Sequence, residues 1–203
     1  MRGGMRGNMK NKATRMSIVI ICLVLAMLAY YAYLSNRGRK QKEDGEKKVV
    51  QEVLAVDLAK QYPGTVREVM KYYNQIMECL YRETCTEEEI AALGRKARML
   101  YDEELLTANP EEDYLVRLSS EVQDYRNKKR KITSSAVPSA SSVDYFKEDG
   151  YEFARILCSY TLVTDGQGRS LNTMYLLRRD KNRQWKIYGW DAAENLWINQ
   201  IGE

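Results

Sequence analysis

An α+β fold behind one N-terminal membrane helix is what this sequence predicts, and three observations predict it. An uncharged apolar run occupies residues 16–34. Two Thr-x-x-Glu boxes, at Thr65 and Thr86, each precede apolar residues at helical spacing. From Ile132 onward the chain changes to aromatic and β-branched runs cut by Asp149-Gly150, Asp165-Gly166 and Asp180-Lys181-Asn182, which are hairpin-type turn signals.

The first element is a basic leader over residues 1–15, with Arg2, Arg6, Lys10, Lys12 and Arg15 and no acid. The apolar run from Met16 to Leu34 has 19 residues without a charge. At about 1.5 Å per residue it matches the roughly 30 Å hydrocarbon thickness of a bilayer. Tyr30, Tyr31 and Tyr33 stand at its far end, where amphipathic rings favour an interface. A short basic leader before an apolar core, with no small-x-small cleavage site at its end, reads as a signal anchor. The expectation is a single-pass cell-membrane protein, its N-terminus cytoplasmic and its C-terminal part outside. The lipid bilayer would be its partner through residues 16–34. Residues 35–48, rich in Lys, Arg and Glu, read as a polar tether to an extracytoplasmic domain over residues 49–203.

That domain begins with Val49, Val50, Val53, Leu54 and Leu58 at helical spacing, ending near Tyr62-Pro63-Gly64. Thr65-Val66-Arg67-Glu68 is a capping box, and the helix it opens places Val66, Val69, Met70, Tyr73, Ile76, Met77 and Leu80 on one face. Thr86 to Glu89 opens a second helix with Ile90, Leu93, Ala97, Leu100 and Tyr101 inward. Asn109-Pro110-Glu111-Glu112 predicts a third start, with Asn109 as cap and acids facing the helix dipole. The basic stretch from Arg126 to Lys131 ends that helix, where cations suit the dipole. Four strands follow: one in Ile132 to Phe146, then Tyr151–Thr164, Leu171–Arg179 and Gln184–Trp190. The architecture is three or four helices packed on one face of a curved antiparallel four-stranded sheet. Leu196, Trp197, Ile198 and Ile201 are expected to fold back as an end flap.

Charge and composition exclude several functions. Residues 1–48 carry 11 Lys/Arg against 3 Asp/Glu, whereas residues 49–203 carry 21 against 25. The domain itself is therefore acidic, and no nucleic-acid partner is expected. Histidine is absent, which removes the commonest general base and the Ser/Cys-His arrangements. Cys22, Cys79, Cys85 and Cys158 form no Cys-x-x-Cys motif; Cys79 and Cys85 suit either a disulfide or two buried thiols. Neither a P-loop nor Gly-x-Ser-x-Gly occurs. Glu87-Glu88-Glu89 and Glu111-Glu112-Asp113 sit at helix starts, where capping explains them, so no metal or other cofactor is expected.

The closing segment with Asp180, Asn182, Trp185, Lys186, Ile187, Gly189 and Trp190, after a helical half, resembles the nuclear transport factor two-like superfamily, including its SnoaL-like members. The stretch Tyr62, Pro63, Thr65, Arg67, Glu68 and Val69 is similar to one in uncharacterised single-span membrane proteins of Gram-positive bacteria that carry a domain of unknown function. The resemblance covers about residues 50–190 and is structural rather than catalytic. It implies a cone-like fold with a pocket between sheet and helices. Tyr73, Tyr101, Tyr160, Tyr175, Trp185 and Trp190 are the candidate pocket or interface residues, with Tyr72 and Tyr81 nearby and Asp102, Asp144 and Asp191 as acids. A non-enzymatic binding or assembly module fits best, with a protein partner or homodimer as its contact. A small pocket enzyme or ligand carrier using a Tyr/Asp pair is one alternative. The other is an accessory component of an envelope or secretion complex.

Overall fold

In the computed structural model of the protein, residues 8–81 and 85–193 are described, the side chains of 8–23, 38–44 and 46 excepted. The chain divides into two compact units, Met1–Gly45 and Glu46–Glu203.

Helix α1 runs over Asn8–Ala55. The stretch 35–48, expected as a tether, lies within it; Lys, Arg, Glu and Gln are good helix formers, so its polarity does not break the helix. The membrane-spanning helix over 16–34 is overturned, and with it the single-pass location with a cytoplasmic N-terminus. Among the described residues, no helix is long and apolar enough to cross a membrane. Within the apolar run, the described side chains are those from Val24 to Leu34, with Ser35, Asn36 and Arg37 next. The remainder of the run, the basic leader's side chains and the end-flap residues from Leu196 to Ile201 lie outside the described residues.

The Glu46–Glu203 unit is α+β. Its helical half comprises the end of α1, α2 (Val66–Leu80), α3 (Glu87–Arg98), α4 (Glu103–Ala108) and α5 (Glu111–Asn127). Both capping boxes form: Thr65 accepts from the Glu68 amide and Thr86 from the Glu89 amide, each glutamate reaching back to its cap. Helix α2 is buried along most of its length, from Val66 to Leu80, and is the centre of the core. Helices α3 and α5 approach closely at Gly94, where an added Cβ would stand 2.7 Å from Leu118 Cδ2. Asn109 does not cap α5; Pro110 occupies that position, and the Asn109 side chain donates back to the Leu105 carbonyl.

The sheet has five strands rather than four: β1 (Arg130–Ala136), β2 (Asp144–Glu148), β3 (Tyr151–Thr164), β4 (Gln167–Arg179) and β5 (Trp185–Ala192). All the pairings are antiparallel, in the order β1-β3-β4-β5. Strands β1 and β2 lie end to end along one edge of β3, β2 against Tyr151–Arg155 and β1 against Ser159–Thr164. The expected single strand is cut in two because Pro138 has no N–H to give a ladder, and a 3₁₀ turn at Ala140–Ser142 follows it. Asp149-Gly150 and Asp165-Gly166 have positive φ at both positions, as tight hairpin turns require. The far edge of β5 is covered: the Ile187 amide donates to Leu100 and the Asp102 amide donates to Ile187. Alternate residues of β3, Ala154, Ile156, Cys158, Tyr160 and Leu162, face the helices and close the core.

Candidate functional site

A cavity of about 350 Å³ opens between the helices and the sheet. Helix α2 supplies Tyr73 and Met77, the turn after α3 supplies Tyr101, and α5 supplies Tyr114, Leu118 and Tyr125. From the sheet side come Tyr160, Tyr175 and Trp190. The periodicity explains the convergence. Tyr73 lies on the buried stripe of α2, while Tyr160 and Tyr175 occupy core-facing positions on neighbouring strands.

Of the six residues singled out from sequence, five line this cavity: Tyr73, Tyr101, Tyr160, Tyr175 and Trp190. The rings of Tyr73, Tyr101, Tyr175 and Trp190 interlock. Trp190 lies with its centroid 5.8 Å from Tyr101, 6.2 Å from Tyr175 and 6.5 Å from Tyr73. Trp185 does not join them; it packs against Tyr145 and under the Arg179 guanidinium, and its carbonyl accepts from Tyr62. Tyr72 also points elsewhere, donating to the Val53 carbonyl.

The two walls differ in how their hydroxyls are met. On the sheet wall Tyr160 Oη donates to Asn74 Oδ1 at 2.6 Å. A hydroxyl has one proton, so Tyr175, 2.7 Å away, is the donor to Tyr160. Asn74 is buried; among the described residues its Nδ2 makes no hydrogen bond of ordinary geometry, its neighbour being the Cys158 thiol. On the helical wall the Tyr73, Tyr101 and Tyr114 hydroxyls form a row at 3.5 and 3.3 Å, well beyond the usual O–H···O distance of about 2.7–2.8 Å. At the mouth, exposed Glu121 accepts from Tyr81 at 2.7 Å, and exposed Arg117 donates to Asn109 at 2.9 Å.

Burial pushes the phenols of Tyr73, Tyr101, Tyr114, Tyr160 and Tyr175 above the ordinary tyrosine range; for Tyr81, burial acts first and the Glu121 charge adds to it. All are neutral phenols at neutral pH, hydrogen-bonding groups rather than bases. Burial likewise pushes the Cys158 thiol up to about 12, with the Asn74 amide pulling the other way, so it is no nucleophile. Cys79 and Cys85 are both buried, and the Cys85 thiol donates to the Cys79 carbonyl. Among the described residues no group of His, Cys, Asp or Glu is placed to hold a metal.

The acids considered for chemistry lie outside the cavity. Asp144 pairs with Arg155 on the other face of the sheet, and Asp191 accepts from the Ala192 amide. Asp102 caps α4 through the Glu104 amide and takes Arg178 bidentately. Arg178 also donates to Glu104 at 2.6 Å, and its guanidinium lies 4.9 Å from the Tyr151 ring centre and 4.7 Å from that of Tyr188. The pairing of Asp102 with Arg178 has no spacing signal, since 76 residues separate them. The cavity residues missed from sequence are Tyr114, Arg117, Glu121 and Tyr125. Their i, i+3, i+4 spacing on α5 is the available signal, because it puts them on one face with Leu118.

Fold and site together define an α+β domain with a tyrosine-lined cavity between its two layers. The model of the family described as Domain of unknown function (DUF6715) matches residues 5–190, and the chain belongs to that family. No curated protein matches it. Among solved structures, one similar chain is the proposed transfer protein TraH from the Gram-positive conjugative plasmid pIP501, at 12% identity and a TM-score of 0.36. The match covers 62% of this chain and 89% of that one. A likeness at that level carries no argument about fold or function.

Proposed function

We propose that the domain is a non-enzymatic binding module that captures a small ligand in the tyrosine-lined cavity. The observation that carries this reading is the combination of size and chemistry at the site. A cavity of about 350 Å³ falls within the range of ligand sites, and its walls are mainly aromatic with a few convergent hydroxyls. The phenols are all neutral, and among the described residues the one acid lining the cavity, Glu121, is exposed at its mouth, which supports binding over proton transfer. Helices first, sheet second and a cavity between them also support reading the domain as nuclear transport factor two-like.

Native mass spectrometry of the full chain, compared with its denatured mass, tests the proposal. A non-covalent adduct that is lost on denaturation, and lost again in a Tyr101→Trp variant that fills the cavity, is the expected result. A bare chain that takes up no small molecule from a cell extract refutes it. A second reading, contact with a protein partner, draws on the outer face of the sheet, where Leu157 and Tyr151 are exposed beside the half-buried Met174 and Leu176. A stable second component in the same native spectrum would favour it.

A further inference from the structure

The mouth of the cavity differs from its interior in one respect: it carries one full charge of each sign. Arg117 and Glu121 lie one turn apart on α5, both exposed, and both line the cavity. At i, i+4 their Cβ atoms stand about 6 Å apart on the same helix face. They are not joined to each other. Among the described residues each has a neutral partner instead, Asn109 for Arg117 and Tyr81 for Glu121. Those partners hold the two side chains in place and leave both charges uncompensated. Arg117 retains further guanidinium N–H groups, and Glu121 retains its second carboxylate oxygen, Oε2.

Deeper in, the wall offers aromatic rings, aliphatic side chains and the uncharged hydroxyls of the phenols and Thr173. A charged group carried inward would lose its hydration with no opposite charge to meet it. A ligand suited to this arrangement keeps its charges at the entrance and sends an apolar ring inward. Resting on the binding reading above, we infer that the cavity takes a zwitterionic ligand with a flat ring, of the class of an aromatic α-amino acid. Its carboxylate meets Arg117, its ammonium meets Glu121, and its ring enters among Tyr73, Tyr101, Tyr175 and Trp190. The two head-group charges of such a molecule are a few ångströms apart, as the i, i+4 spacing requires. Carboxylate recognition by a guanidinium is charge-assisted and directional.

Isothermal titration of the full chain with four probes tests the assignment: L-phenylalanine, 3-phenylpropanoate, 2-phenylethylamine and benzyl alcohol. Phenylalanine is expected to bind at least about tenfold more tightly than either singly charged probe. Arg117→Gln should remove its advantage over 2-phenylethylamine, and Glu121→Gln its advantage over 3-phenylpropanoate. Both substitutions fall on exposed positions, and thermal unfolding of the variants checks that each is folded. If benzyl alcohol binds as well as phenylalanine, or the variants keep the preference, the zwitterion assignment is overturned while the binding reading stands. If no probe binds but the native adduct persists, the zwitterion assignment again falls and the binding reading again stands. If no probe binds and no adduct exists, both fall.

Discussion

Tyr101 and Asp102 are consecutive residues, yet their side chains enter two polar environments built on opposite rules. Asp102 joins a cluster in which every group is met: Arg178 bridges it to Glu104, Tyr188 donates to Glu104 at 2.8 Å, and two tyrosine rings sandwich the guanidinium. Tyr101 joins a row of hydroxyls set too far apart to satisfy one another. Closely met polar groups define a fold, because removing any one leaves another buried without a partner. Loosely met ones cost little to rearrange and are the groups a ligand can recruit. The same short segment, hydrogen-bonded to Ile187 of β5, sets both.

The largest effect should come from breaking the closed cluster. Asp102 is 3% exposed and the Arg178 side chain 12%, so removing Arg178 leaves the Asp102 carboxylate out of water without a countercharge. Arg178→Ala is expected to cost about 3–5 kcal/mol in urea unfolding. Arg178→Lys should recover only part of that, since an ammonium can neither bind a carboxylate bidentately nor stack between Tyr151 and Tyr188. A loss below about 1 kcal/mol for Arg178→Ala would place this cluster with ordinary surface pairs and remove one side of the comparison.

Within the cavity, a matched pair of substitutions sharpens the contrast. Tyr160→Phe strips Asn74 Oδ1 of its donor and Tyr175 of its acceptor, all inside the core, and should cost about 1–2 kcal/mol. Tyr101→Phe removes a hydroxyl whose contacts are 3.5 and 3.3 Å, and should change stability by less than about 0.5 kcal/mol. Equal losses would mean that the helical row is as tightly bonded as the sheet chain. The phenol row would then have no slack for a ligand.

These two regions are also unequally legible in the sequence. Capping boxes at Thr65 and Thr86 announce themselves locally, as do the Asp-Gly turns, because each needs only its own few residues. Five cavity residues can be named because large aromatics on core-facing helical and strand positions converge wherever helices pack on a sheet. Tyr114 and Tyr125 read as ordinary helix-face residues, and Trp185 reads as a companion of Trp190 although they lie at different places on the same strand. Distance along the strand separates them: Trp190 stands opposite Tyr175 and Trp185 opposite Arg179 at the other end of the pairing. Helix α4 has a readable start in Asp102-Glu103-Glu104 but is only six residues long, too short to show an apolar period. The apolar run at 16–34 shows the opposite failure, a strong local pattern that the described helix does not bear as a span. Nothing in one chain's sequence could pair Asp102 with Arg178.

The smallest effect is one of pH, and it isolates the exposed arm of the closed cluster. The Arg178 guanidinium, and after it the Tyr188 hydroxyl, hold the Glu104 carboxyl below its ordinary value. A carboxyl whose pKa is lower folded than unfolded binds fewer protons in the native state. Its contribution is therefore present above the unfolded value of about 4.5 and is lost as pH falls through the lower, folded value. Urea midpoints measured from about pH 7 down to about pH 3 should fall less steeply for Glu104→Gln than for the natural chain. The difference should be confined to the acid side of about pH 5 and should shrink in high salt, because Glu104 is open to solvent. Asp102, buried under the same guanidinium, remains in the variant, so the bulk of the cluster's stabilisation should survive. Parallel acid limbs for the two proteins would show that Arg178 acts through Asp102 alone.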